Sequence, residues 1–182
     1  ADIATVAQSN GAIVIDRPTE LAQDNSPEWL AWKHAINWVK EQYGDFNEFV
    51  SLPATSPLRS VKDVESAILR RSNVGADICI AITPANRSPY FNMVKKLDNN
   101  LIELIIKPVN SIFRRQDSPE VFDITTVAYV ATVDFIMNNS NIFDGKVTSV
   151  EIPKHRAVDI DDIYDFKFAE VILNNTSIEK QR

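Results

Sequence analysis

Apolar residues along the chain alternate between two patterns. Short runs that are apolar on both faces predict buried strands at Ala12-Ile13-Val14-Ile15, at Glu48-Phe49-Val50-Ser51-Leu52 and at Asp77-Ile78-Cys79-Ile80-Ala81-Ile82. Longer stretches with apolar residues at helical spacing lie between them. Trp29, Trp32, Ile36, Val39 and Tyr43 predict an amphipathic helix from Pro27 to about Tyr43, with Ser26 as N-cap and Pro27 at the first helical position. Ser60-Val61-Lys62-Asp63 is a capping box with Asp in place of Glu, and it predicts a helix to about Arg71. Ala1 to Gln8 reads as a further helix, stopped by Asn10-Gly11.

The middle of the chain is different. Phe91 to Lys96 and Leu101 to Ile106 flank Asp98-Asn99-Asn100, a hairpin signal. Val127-Ala128-Tyr129-Val130 and Val147 to Ile152 predict strands, with a short helix or turn at Val133 to Met137. Ala157 to Asp161 reads as extended, Ile163, Phe166, Ala169, Glu170 and Leu173 pattern a last helix, and the polar tail from Asn174 is expected to fray. The pattern therefore describes one α/β domain with an antiparallel insertion. Strands apolar throughout argue for a parallel sheet covered by helices on both sides, and function in such sheets gathers at the carboxyl ends of strands.

Composition narrows what this domain does. With 182 residues, 45% hydrophobic and 24% charged, the chain is a globular domain able to bury a core. Its net charge of -6 argues against a nucleic-acid binder that works by counterion release, and no apolar run is long enough to span a bilayer. The single cysteine, Cys79, cannot build a zinc cage or an internal disulfide. The four glycines are scattered, so neither GxGxxG nor GxxxxGK occurs.

Candidate chemistry sits in four polar segments. In extended backbone Asp159 and Asp161 share one face, and two adjacent carboxylates suit Mg²⁺, which commonly takes one or two carboxylates plus substrate phosphates. Capping of the last helix by Asp161 or Asp162 is the more economical reading of the spacing alone, and it is compatible with the metal. Arg114-Arg115-Gln116-Asp117 offers guanidinium forks that fit phosphate or carboxylate, or else a solvated basic turn. Thr55-Ser56-Pro57-Leu58-Arg59 supplies hydroxyls at a strand end, and Asp16-Arg17-Pro18 a further guanidinium. His34 reads as structural, His155 as a solvated loop residue and Cys79 as inert packing. Together these residues indicate an anionic ligand, with Mg²⁺, at the rim of an α/β sheet.

Read in order, the segments resemble the acylneuraminate cytidylyltransferases, the CMP-sialic acid synthetases. Arg17-Pro18-Thr19-Glu20-Leu21-Ala22-Gln23-Asp24 is similar to the family's RPxELAxD, Pro53 to Arg59 to its TSPLR run, Arg114 to Asp117 to its RRQD, and Ala157 to Asp161 followed by Asp165-Phe166 to its DID motif. The resemblance implies a three-layer, Rossmann-like nucleotidyltransferase domain over 1–182, with a mixed, mainly parallel sheet and a small antiparallel dimerisation arm at about 132–152. It implies a cytoplasmic homodimer that transfers CMP from CTP to the anomeric hydroxyl of a nonulosonic (2-keto-3-deoxy) sugar acid and releases pyrophosphate. Asp159 and Asp161 would hold Mg²⁺ and, with Arg115, carry the catalysis. Arg17, Asp24, Thr55 and Ser56 would bind the nucleotide. Arg114, Gln116, Tyr129 and, from the partner copy, Phe143 would face the sugar.

Three departures accompany the resemblance. Pro53 replaces the usual Gln, Thr125-Thr126-Val127-Ala128-Tyr129 replaces NGA-I/F-Y, and the family's opening basic glycine loop (ARxGSKxxxxKN) is not among these residues. The first two leave the identity of the sugar acid open. From the third, the chain is expected to be N-terminally incomplete and inactive by itself. A dimeric scaffold relative without catalysis, and a nucleotidyltransferase of other sugar or base specificity, stay open as alternatives.

Overall fold

In the computed structural model, residues 2–23, 25–108 and 114–179 are described. In chain order the elements are α1 (Asp2–Ser9), α2 (Glu28–Tyr43), β1 (Glu48–Ser51), α3 (Val61–Val74), β2 (Ile78–Pro84), β3 (Val94–Lys96), β4 (Ile102–Leu104), β5 (Phe122–Thr132), α4 (Val133–Asn138), β6 (Val147–Glu151) and α5 (Ile163–Glu179). α3 opens on the expected capping box between Ser60 and Asp63 and closes on Gly75, which takes the left-handed conformation at φ 59°. The β3–β4 hairpin turns through Asn100, also left-handed at φ 63°.

β2 is central because it is apolar on both faces: Ile78, Cys79, Ile80 and Ala81 are all buried. The sheet runs β1-β5-β2-β6. β5 is antiparallel to both β1 and β2, and β2 is parallel to β6. The sheet is mixed, as expected, but only one of its neighbouring pairs is parallel. β1, β2 and β6 share a direction, and β5 is threaded between two of them in reverse. Burial on both faces, which the apolar pattern does report, does not encode strand direction.

Three layers result. Trp29, Trp32 and Ile36 of α2 pack with Val133, Phe135 and Ile136 of α4 over Ile78, Ile80, Tyr129 and Ala131 on one face. Val64, Ala67 and Ile68 of α3 cover Cys79, Ala81 and Val130 on the other. The Trp29 indole donates to the Ile136 and Asn139 carbonyls at 3.1 and 2.8 Å, which satisfies the end of α4 from inside the core.

Several expectations are corrected. Ala12 to Ile15 form no strand, and Ile13 is 64% exposed: an apolar run becomes a strand only beside a ladder partner. Pro27 stands at the N-cap of α2 without a side-chain cap, so the helix starts at Glu28, one position later than expected. α5 continues past Asn174 to Glu179. Within the arm expected at about 132–152, Val133, Phe135 and Ile136 are core residues and Val147–Glu151 is a strand of the main sheet, parallel to β2. The antiparallel ribbon outside that sheet is β3–β4.

Gly145 leads into β6 under the Phe135 ring. A Cβ there would meet Phe135 Cε2 at 2.5 Å and Asp77 Oδ2 at 2.7 Å. Asp77 Oδ2 also accepts from the Lys146 amide at 2.7 Å, so it is not free to retreat. Gly145→Ala is expected to cost about 1–3 kcal/mol, read as a lowered midpoint in urea with an unchanged m-value.

Candidate active site

Because β1, β2 and β6 run in one direction, their carboxyl ends open on the same edge of the sheet. The loop after β1 carries Thr55 to Arg59, the excursion after β2 carries Arg114 to Asp117, and the loop after β6 carries Asp159 to Asp161. That excursion closes on itself: the Ala85 amide donates to the Val121 carbonyl at 3.0 Å before β5 re-enters the sheet. Three polar segments far apart in sequence thus follow strands that end at the edge where α/β sheets bind ligands.

A bulge fixes the first of these loops. Ile80 pairs with Tyr129 but Ala81 pairs with Thr125, so Thr126, Val127 and Ala128 have no partner on β2. Arg59 takes up the carbonyls this releases, donating from Nε to Val127 at 2.8 Å and from Nη2 to Thr126 at 3.4 Å. Its Nη1 and Nη2 also bind the Leu52 and Pro53 carbonyls. Burial lowers the Arg59 pKa from its ordinary value, but the ring of carbonyl acceptors suits a guanidinium. The Ser56 hydroxyl bonds the Thr126 hydroxyl at 2.6 Å. The Thr-Thr-Val-Ala-Tyr stretch of β5 is therefore what the Thr55-to-Arg59 loop locks onto.

The Asp159 loop is tied in two places. The Ile160 amide donates to the Thr55 carbonyl at 2.9 Å, which joins two of the sequence motifs directly. Arg156 donates from Nε and Nη2 to the two oxygens of Asp63, both at 2.9 Å. Asp63 is only 5% exposed and also serves the α3 capping box. Burial raises its pKa, but hydrogen bonds from Arg156 and Ser60 outweigh this and leave the carboxyl below its usual value.

Beyond these anchors lies a cleft of about 550 Å³, lined by Thr83 and Pro84 of β2, Asp123 and Thr125 of β5, Lys154, His155 and Ala157 to Asp159, and Asp165 and Phe168 of α5 among others. Asp159 Oδ1 is buried at this cleft and has no hydrogen-bond partner. A carboxylate oxygen out of water and without a donor is costly unless a cation or donor meets it, so this residue fits a hard cation. No group of three or more His, Cys, Asp and Glu is placed to hold a metal among the described residues. A cation here would thus rest on one or two carboxylates, with other positions left to water and substrate oxygens, as Mg²⁺ prefers. The cap of α5 is Asp162, whose Oδ1 accepts from Tyr164 and Asp165 at 2.7 and 3.0 Å. Asp161 only donates its amide to Asp165, so its exposed carboxylate is not the cap.

Known proteins are similar to this chain over most of its length. A post-translational flagellin modification protein B from Campylobacter coli is 27% identical over 98% of this chain and 75% of its own length. A CMP-N,N'-diacetyllegionaminic acid synthase from Campylobacter jejuni is 27% identical over 95% of this chain and 73% of its own. An N-acylneuraminate cytidylyltransferase from Escherichia coli is 23% identical over 96% of this chain, which spans 40% of that protein. Over nearly its whole length the chain is thus similar to cytidylyltransferases that include a CMP-N,N'-diacetyllegionaminic acid synthase and N-acylneuraminate cytidylyltransferases. No family model matches it. Among solved structures, 4-diphosphocytidyl-2C-methyl-D-erythritol synthase from Anaerococcus prevotii aligns with TM-score 0.55 and 11% identity over 95% of this chain and 76% of its own, which supports the nucleotidyltransferase fold.

Within this domain the expected site residues divide. Asp159 lines the cleft, Asp161 and exposed Thr55 lie on the two joined loops, and Gln116 lines a neighbouring cleft of about 510 Å³ that also touches Pro84. Ser56 is fully buried, with its hydroxyl held by Thr126, so its side chain frames the loop. Tyr129 is 8% exposed, with its ring 5.4 Å from that of Trp32 in the core; burial raises its phenol pKa, helped by the charges of Glu28 and Asp159. Arg17 and Arg114 are exposed. Phe143 is exposed in the turn before β6, at the opposite edge of the sheet from the Asp159 loop. Asp24 and the side chain of Arg115 lie outside the described residues.

The remaining residues follow the same logic. His34 bonds the Asp16 carbonyl at 3.0 Å, holding the Arg17 turn against α2. Burial pushes the Cys79 thiol up to about 11, away from nucleophilic use. The sequence pattern missed Arg59, Asp63 and Arg156 as the anchors of the site, and Thr83 as a wall of it. One signal for Thr83 was available: it is the lone hydroxyl in the Ile78–Pro84 run, near the carboxyl end of the strand.

Proposed function

We propose that this chain transfers CMP from CTP to the anomeric hydroxyl of a nonulosonic sugar acid. The anomeric oxygen attacks the α-phosphorus, the bond from that phosphorus to the bridging oxygen breaks, and pyrophosphate leaves. The observation that carries the reading is the tie between the Thr55 and Asp159 loops beside a cleft that Asp159 lines, with one oxygen of that carboxylate buried and unpartnered. The names of the relatives, a CMP-N,N'-diacetyllegionaminic acid synthase and N-acylneuraminate cytidylyltransferases, support the choice of nucleotide and acceptor class.

In this reading Asp159 and Asp161 hold Mg²⁺. Bound there, Mg²⁺ supplies positive charge against the phosphates. The Arg59 clamp and the Asp63–Arg156 pair keep the two loops in register, so that Asp159 is oriented before substrate arrives. Thr55 and Arg17, with Asp24, face the nucleotide, and Ser56 acts through the backbone of its loop. Arg114, Arg115 and Gln116 offer donors to the carboxylate of the sugar acid. A cytoplasmic homodimer belongs to the same reading. The test is Mg²⁺- and CTP-dependent pyrophosphate release with a panel of nonulosonic acids, UTP and GTP serving as competitors. Release with at least one acid is expected, and silence across the panel would overturn the reading.

A further inference from the structure

Three side-chain polar atoms among the described residues are buried without a hydrogen-bond partner: Arg71 Nε, Thr83 Oγ1 and Asp159 Oδ1. Arg71 is engaged elsewhere, through Nη2 with Glu48. The other two belong to residues that line the same cleft. Thr83 is 9% exposed and pairs across the ladder with Asp123, so the two side chains share one sheet face. Two positions along that face, the Thr125 hydroxyl reaches the Ala81 carbonyl at 3.4 Å. Thr83 has no such outlet, although a hydroxyl can both donate and accept. A buried hydroxyl is retained without a protein partner where something outside the protein completes it.

We propose that Thr83 is a positioning residue for the divalent cation, its hydroxyl hydrogen-bonding a water carried by the ion held on Asp159. This rests on the cation reading of Asp159 given above. Groups that bond the outer partners of a bound ion fix its orientation, and their loss typically lowers metal affinity about 10- to 100-fold. Thr83 meets the requirement for such a group: it stands on the central strand, lines the same cleft as the carboxylate and is out of bulk water.

Mn²⁺ is the probe, titrated into the protein and followed by the electron paramagnetic resonance signal of the free ion. Asp159→Asn is expected to weaken Mn²⁺ binding by more than about 10-fold, Thr83→Val by about 10-fold, and Thr83→Ser hardly at all. In the metal-free protein Thr83→Val is expected to leave Tm unchanged or raise it, because an isosteric apolar group replaces an unpaired hydroxyl. If Asp159→Asn binds Mn²⁺ like the parent, the cation reading itself fails. If Asp159→Asn weakens binding but Thr83→Val does not, the role of Thr83 is overturned and the cation reading stands. The role is equally overturned if Thr83→Ser behaves like Thr83→Val, or if Thr83→Val lowers the metal-free Tm by many degrees.

Discussion

Asp159→Asn is expected to abolish CMP transfer while leaving the domain folded. One oxygen of this carboxylate is buried and receives no hydrogen bond, so the native fold gains little from its charge. The amide has nearly the same shape, and removing the charge relieves that desolvation. Turnover should therefore fall about 10²-fold or more, since a ligand matters at least as much as the groups that orient it, while Tm stays level or rises. Steady-state pyrophosphate release and a thermal melt on the same preparation check both halves. Asp162→Ala supplies the contrast. Asp162 caps α5, so its loss costs about 1 kcal/mol of stability, with turnover largely kept. A dead Asp162 variant beside an active Asp159 variant would reverse the two assignments.

Arg156→Met is expected to have the largest effect on stability of any single change at the site. It strips the two guanidinium bonds from a carboxylate that is 5% exposed. Breaking a buried pair from one side costs about 3–5 kcal/mol, and the lower end applies here because the Arg156 side chain keeps 30% exposure. The pH dependence follows from Asp63. Its folded pKa is depressed, so the pair contributes fully above the unfolded value near 4, and that contribution is lost as pH falls through the folded value. Without Arg156 only the Ser60 bonds oppose the effect of burial, so the Asp63 pKa rises relative to the parent and the variant loses less than the parent on acidification. Urea unfolding from about pH 7 to pH 4 should show the gap between parent and variant narrowing. A constant gap would mean that the Asp63 charge is not what Arg156 satisfies.

These two changes also separate what was legible in the sequence. The DID pair and the Thr55-to-Arg59 run were found because paired carboxylates and hydroxyls between apolar runs are local signals. The capping box at Ser60 and Asp63 was local too, and it formed as expected. The second use of Asp63, as the partner of Arg156, joins residues 93 positions apart and leaves no mark in either segment. The cap of α5 was assigned to Asp161 or Asp162 jointly, because residues one apart differ in direction only once the backbone is fixed. Tyr129 and Ser56 look like site residues in a linear reading, since both sit in motif segments. Their burial depends on Trp32 from α2 and on the β5 bulge, neither of which is close by in sequence.

By itself the sequence determined the alternation of helix and strand, the hairpin after β2, the capping of α3 and the resemblance to the cytidylyltransferases. Each of these rests on contacts within a few residues or on ordered motifs that survive without a third dimension. Only the tertiary structure decided that Ala12 to Ile15 stays out of the sheet, that β5 runs against its neighbours and that Val133, Phe135 and Ile136 enter the core. It also decided that Asp159 and Thr83 are left unpaired in one cleft. Those outcomes depend on which strand lies beside which and on what remains to satisfy each polar atom once the layers close. Burial makes such atoms informative, because out of water an oxygen must find a partner, and these two find none in the protein.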